Sequence, residues 1–340
     1  MKTVNQRILL DHGAGGRAAH ELVTGLFLRH LAGQEPARLE DAALIAPGPG
    51  RLAFSTDSFV VTPLFFPGGD IGELAVYGTV NDIAMRGARP LFLSAGFILE
   101  EGLEMDVLDR IVASMARAAA KAGVAIVAGD TKVVPKGAAD RVFINTSGLG
   151  VAPDGVDISA ARARPGDAVI LSGTMGDHGL AVLCRREGLS LETEIVSDAA
   201  PLAGLVQALL EAAPAGSIHA LRDPTRGGVG TTLNEIALSS GVGMTLDEES
   251  LPVTEAVRGA CDILGLDPLY VANEGKVLAV AAPEAAAPIL AAMKAHEYGR
   301  KAAVVGRVTS DHAGQVFLQT IVGGLRIVDM LTGEQLPRIC

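Results

Sequence analysis

The chain predicts an α+β fold of two domains, each a mixed sheet covered by helices on one face, with a mobile tail behind them. Three observations carry that expectation. Strand and helix patterns intermix without strict βαβ alternation, which favours layered α+β domains over a doubly wound sheet. The stretch 152–166 turns rich in Asp, Arg, Pro and Gly, the composition of a junction between domains. The 340 residues, 49% hydrophobic and 20% charged, hold enough apolar material for two cores. The expected domains are 1–152 and 153–330, the second an α/β unit. The tail 331–340 has little periodicity.

Taken in order, 8–10 reads as a short strand, and a glycine turn at 11–16 leads into a helix over about 17–31. Residues 52–57 read as a strand ending on a carboxylate, and 71–86 as a helix carrying Asn81 and Asp82. Then come a strand at 91–99, an alanine-rich helix at 106–122, a buried strand at 124–128 running into Gly129-Asp130-Thr131-Lys132, and a strand at 143–151. The second half predicts strands at 168–172, 243–246 and 276–281, helices at 179–186, 202–212, 231–239, 255–264 and 284–296, and three short strands within 302–328.

Composition excludes several function classes. A net charge of −11 argues against general affinity for nucleic acid or an anionic membrane, because both require clustered Lys and Arg. The first residues show no secretory pattern and no apolar run spans a bilayer, so no membrane role is expected. The three cysteines, Cys184, Cys261 and Cys340, lie far apart without a CxxC pair; a reducing cytoplasm suits them. Cys184 and Cys261 sit in apolar helical stretches and read as small core residues.

Several stretches point to chemistry. Gly13, Gly15 and Gly16 form a glycine turn before a helix, a possible phosphate site, although such turns are also common for steric reasons. Asp57, Asp82, Asp130 and Asp223 each fall in a turn or near an element end. Hard oxygen ligands from separate segments are what a Mg²⁺–nucleotide needs. For any one of them a turn or helix-cap carboxylate is the plainer explanation; as a set they weigh more. Lys132 follows Asp130 closely, and if a strand ends at Gly129 both reach one pocket, with an ordinary solvated lysine the equal alternative; Asn273-Glu274-Gly275-Lys276 puts a carboxylate beside a glycine at a strand entrance, a pattern that a surface turn matches equally. Thr225-Arg226-Gly227-Gly228 offers backbone N–H groups before a helix, a second anion site. His178 reads as structural. Cys340 is either a frayed end or a carrier arm that takes up a group and moves it.

Together, residues 11–17, 54–59, 78–88, 128–134, 223–228 and 273–276 and the final Pro337-Arg338-Ile339-Cys340 resemble the HypE family of hydrogenase maturation proteins. That family lies in the superfamily of aminoimidazole ribonucleotide synthetase and selenophosphate synthetase, and the terminal four residues narrow the resemblance to it. The resemblance implies a homodimer that binds ATP and Mg²⁺. It implies further that a partner carbamoyltransferase, HypF, loads a carbamoyl group onto Cys340, that ATP drives dehydration of this S-carboxamide to a thiocyanate, and that the HypC–HypD complex receives the cyano group for the [NiFe]-hydrogenase iron. It also implies roles: Gly13, Gly15, Gly16, Asp57, Asn81, Asp82, Asp130 and Thr131 at the nucleotide; Asp57, Asp82, Asp130 and Asp223 at metal or phosphate; Lys132 and Glu274 as deprotonating or orienting groups; Cys340 as acceptor. Its own carboxylate is expected to raise the Cys340 pKa, with Arg338 as a partial offset.

Three alternatives differ in what they leave unexplained. Another ATP-dependent synthetase of the superfamily, selenophosphate synthetase-like, would carry a reactive Cys near the N-terminus, and residues 1–20 contain none. A dinucleotide-dependent oxidoreductase leaves the later aspartates idle. A non-catalytic carrier of Cys340 would show no ATP turnover dependent on a carbamoylated tail.

Overall fold

The computed structural model describes residues 7–9, 22–31, 50–189, 193–331, 336 and 338–340. The glycine turn with Gly13, Gly15 and Gly16 lies outside them. Helical residues begin with a π-helical turn, Val23–Phe27, continued by α1 (Leu28–Leu31).

A four-stranded sheet follows, with order β1-β6-β4-β5 and strands β1 (Arg51–Phe59), β4 (Arg89–Glu100), β5 (Ala125–Val134) and β6 (Val142–Ala152). β4 and β5 run parallel and the other pairs antiparallel. A small ladder, β2 (Phe65–Phe66) with β3 (Gly69–Asp70), leads into α2 (Ile71–Ala84). Asp70 caps that helix by accepting from the backbone of Gly72 and Glu73. α2 is buried almost all round because it lies between the sheet and α3 (Met105–Ala122), whose apolar residues form a single stripe. Contact with the sheet is close: a Cβ on Gly150 would sit 2.5 Å from Ile83 Cγ2.

β5 extends further than expected. Asp130, Thr131 and Lys132 lie inside the strand rather than after its end, paired in register with Gly96, Phe97 and Ile98 of β4. The β-branched Thr131, Val133 and Val134 sustain the extended backbone past the glycine.

The second half forms a seven-stranded sheet of order β13-β12-β9-β11-β7-β10-β8. Its strands are β7 (Ala168–Leu171), β8 (Ile218–Arg222), β9 (Gly243–Asp247), β10 (Leu278–Ala281), β11 (Ala303–Thr309), β12 (Val316–Gln319) and β13 (Leu325–Ile327). Helices α4 (Asp177–Glu187), α5 (Ala203–Ala212), α6 (Gly228–Ser240), α7 (Glu255–Leu264) and α8 (Pro283–Ala295) connect them. Contrary to the expectation of one covered face, this sheet has helices on both. Val169, Leu171 and Val280 pack towards α6, while Ile170, Ala279 and Ala281 pack towards α5 and α8. The reason is legible in β7 and β10: Ala-Val-Ile-Leu and Leu-Ala-Val-Ala are apolar at every position, so neither face tolerates water. Among the described residues the first sheet keeps an open face, on which Leu52 and Phe54 are 60% and 68% exposed. No helix among the described residues is long and apolar enough to cross a membrane.

Candidate active site

The site forms where α2, the loop after β8 and the 273–276 segment meet the end of the chain. On β1, Asp57 accepts from Thr79 of α2 (3.0 Å), and Ser55 donates to Asp82 of the same helix (2.7 Å). Asp223 follows β8 at the start of Asp223-Pro224-Thr225-Arg226. Gly227 and Gly228 adopt φ of 78° and 59° there, a left-handed pair that turns the chain into α6. Asn273 ties this loop down, donating to Pro224 O (2.9 Å) and accepting from Gly176 N (2.8 Å). Glu274 is buried next to it.

These acids stand close enough to suppress one another's ionisation. Burial and the neighbouring Asp82 push Asp57 up to about 6; burial and Asp82 push Asp223 up to about 7. Burial, Asp223, Asp198 and Asp57 raise Glu274 well above the carboxylate range. No group of three or more His, Cys, Asp or Glu among the described residues is arranged to hold a metal by itself. The donor set nevertheless suits Mg²⁺, which takes one or two carboxylates and completes its shell with water and phosphate oxygens.

One buried ion pair scaffolds the cluster. Lys276 Nζ donates to Asp198 Oδ2 (2.8 Å), while Asp198 Oδ1 accepts the backbone N–H of Glu274 (3.1 Å). Burial alone would raise Asp198, but Lys276 holds it below the usual range. Asn81, expected at the nucleotide, engages its amide with backbone: it donates to Ala200 O and Glu274 O and accepts from Leu202 N (2.8 Å). It thus joins the two halves of the molecule at the site.

The tail enters this cluster. Val60 N donates to Cys340 O (3.0 Å) and Thr62 N to Arg338 O (3.2 Å), a short antiparallel register against the chain leaving β1. Arg186 donates to Thr62 O and Arg338 O, and Ile339 is buried in the first core. The Cys340 sulphur accepts from Arg226 Nη1 at 3.6 Å. Burial and Glu274 raise the Cys340 thiol to about 12, against the opposing charge of Arg226. The offsetting cation is therefore Arg226, not Arg338. At φ 54° Arg338 aims its guanidinium away from the sulphur, towards Val60 O and Asp140.

Asp130 and Lys132 stand apart. They pair with each other at 3.4 Å on the open face, both largely exposed. Asp57 lies in the row Thr146, Ala95, Gly129, whereas Asp130 lies in the next row with Gly96, Asn145 and Ser58. Successive rows face opposite sides of a sheet, and three strand spacings add roughly 14 Å, so one chain cannot bring them together. Three contributors escaped the sequence: Asp198, Arg186 and the Arg226 side chain. Only Arg226 had a signal, its place before two glycines in a helix-opening loop.

Comparison with known proteins agrees with this architecture. The AIR synthase related protein N-terminal domain matches residues 39–152 and the C-terminal domain of the same family matches 164–319. Carbamoyl dehydratase HypE of Azotobacter vinelandii is 55% identical over 336 residues, covering 99% of this chain and 98% of the relative. The crystal structure of hydrogenase maturation protein HypE in complex with ATP superposes with a TM-score of 0.93 at 54% identity, covering 98% of this chain and 99% of that one. A HypE–HypF complex superposes at 0.80, with 51% identity over 92% and 99% of the two chains. The chain belongs to the HypE carbamoyl dehydratase family, built on the two domains of the AIR synthase related proteins.

Proposed function

We propose that this chain dehydrates an S-carboxamide on its own Cys340 to a thiocyanate at the expense of ATP, supplying the cyanide ligand of a [NiFe]-hydrogenase iron. The observation that carries the reading is the seat of the terminal thiol: Cys340 Sγ lies against Arg226, within reach of the charges of Glu274 and Asp57. The relative solved with ATP supports the nucleotide.

Chemically, the carbamoyl oxygen is a poor leaving group until it attacks the terminal phosphorus of ATP and ADP departs. The nitrogen then sheds its protons, its electron pairs build the C≡N bond, and the C–O bond breaks with release of phosphate. Glu274, beside the sulphur, is the base for the nitrogen; a carboxylate held above its usual pKa is the stronger base once ionised. Arg226 offsets negative charge gathering around the thiol. Asp57, Asp82 and Asp223 would hold Mg²⁺, which neutralises phosphate charge during the transfer.

A homodimer completes the assignment. The open face of the first sheet carries Leu52 and Phe54 and requires a second layer. A second copy on this face puts Asp130 and Lys132 to work across the interface, for the partner's nucleotide and carbamoyl nitrogen, whereas Thr131 between them faces the covered side. Gly13, Gly15 and Gly16 would contact the nucleotide, a role that rests on the family resemblance.

The tail 331–340 must also leave the site. The released thiol can then meet HypF for loading and HypC–HypD for delivery. All three cysteines are free, as a reducing cytoplasm requires.

The test is intact mass. Carbamoylated protein given MgATP should lose one water; an unchanged adduct, or cyanation of the Cys340→Ala variant, sinks the reading.

A further inference from the structure

We infer that His178, backed by Ser197, is the positioning residue that holds the docked tail and fixes how deeply the Cys340 thiol enters the site. This rests on the reading that Cys340 carries the substrate.

His178 is fully buried near the start of α4, with the Phe66 ring edge-on at 5.4 Å. Its Nε2 lies 3.0 Å from the carbonyl oxygen of Ile339, the residue immediately before Cys340. Its Nδ1 lies 2.8 Å from Ser197 Oγ. A carbonyl can only accept, so Nε2 carries the hydrogen. Burial holds the imidazole below its ordinary pKa and hence neutral, so Nδ1 accepts from the Ser197 hydroxyl. Ser197 Oγ in turn accepts from Ala199 N at 3.2 Å. Every donor points the same way, from Ala199 through Ser197 and His178 to the tail.

The residue after Ser197 is Asp198, which holds the backbone of Glu274. Two consecutive residues therefore register both reaction partners: Ser197 locates the tail through His178, and Asp198 locates the carboxylate facing the thiol. Val60 N grips the carbonyl of Cys340 on one side of its α-carbon while His178 grips the carbonyl of Ile339 on the other. An imidazole meets this task where other donors do not. Lys or Arg would bury a charge, and a hydroxyl at this position is too short.

The experiment measures alkylation of Cys340 by iodoacetamide in the full-length protein without nucleotide. Peptide mass spectrometry reads it, with buried Cys261 as the internal report on unfolding. His178→Leu should label Cys340 about five- to tenfold faster, the consequence of losing one buried hydrogen bond, with Cys261 unchanged. His178→Gln, which returns an N–H near the Nε2 position, should recover most of the protection. Ser197→Ala, which no longer fixes the tautomer, should label about twofold faster and carries the test alone if His178→Leu fails to fold. Single-turnover dehydration should fall in the same order as labelling rises. Unaltered Cys340 labelling in the variants overturns the inference, as does a parallel rise at Cys261, which would mark a purely structural role. Alkylation needs neither ATP nor a carbamoyl group, so the tail latch and the dehydratase reading fail separately.

Discussion

Arg226 Nη1 lies 3.6 Å from the sulphur of Cys340, and its charge also reaches Asp57 and Glu274. A single exposed guanidinium thus faces the thiol and two of the acids crowded around it.

Replacing Arg226 by Gln should lower the single-turnover rate of dehydration about 100-fold, the usual scale for loss of one electrostatic contributor. Arg226→Lys should recover part of it. Nucleotide affinity measured by calorimetry should change little, since the carboxylates and glycine turn remain.

Without metal or nucleotide, the acid cluster makes stability depend on pH in a direction opposite to that of an ordinary salt-bridged carboxylate. Asp57 and Asp223 have native pKa values of about 6 and about 7, above the ordinary 3.8, so the native state binds more protons than the unfolded chain between those limits. Their contribution is fully present below 3.8 and is lost as pH rises through about 6 and about 7. Thermal scans should show Tm falling across that window, the Asp223→Asn variant should flatten the fall, and Mg²⁺ with nucleotide should restore stability at the upper end.

Gly275 has no room for a side chain: a Cβ there would lie 1.7 Å from the carbonyl oxygen of Asp198. Gly275→Ala should therefore cost about 3 kcal/mol in denaturant titrations. It should also abolish most turnover, because the push falls on the backbone that carries Glu274.

Mixing experiments test the proposed sharing of a site between two copies. Lys132→Ala and Glu274→Gln should each be inactive alone. In equimolar mixed dimers, half the assemblies are hybrid and each restores one of two sites, giving about a quarter of full activity if Lys132 serves the partner's Glu274. Phe54→Asp on the open face should yield monomers by sedimentation and lose activity with them.

Much of the fold was legible because its signals are local. The 3.6-residue periodicity located α3, and the apolar runs Ala168–Leu171 and Leu278–Ala281 marked central strands. Those same runs also implied cover on both faces, a consequence that periodicity alone does not announce. β8 was missed: Ile218-His219-Ala220-Leu221-Arg222 is short, and its His219 pairs inside the fold with Asp167. At the site, Asp57, Asp82, Asp223 and Glu274 came together because acids beside glycine and proline turns carry a visible pattern. Asp198 and His178 carry none, since their roles depend on backbone groups supplied by segments more than 70 residues away. The sequence sets Asp130 in one group with Asp57 and puts Lys132 in a pocket with Asp130; only strand pairing shows that both face the other side of the sheet from Asp57.

The seat of Cys340 between Val60 and Arg226 alters what saturation means for this protein. Its acceptor is tethered, so dilution leaves the local concentration of that reactant unchanged, and only the docked fraction of tails sets occupancy. Turnover per molecule should then be independent of protein concentration wherever the proposed dimer persists. The ordinary trade between substrate affinity and rate becomes a trade between time spent docked and time spent exposed to the proteins that load and unload the thiol.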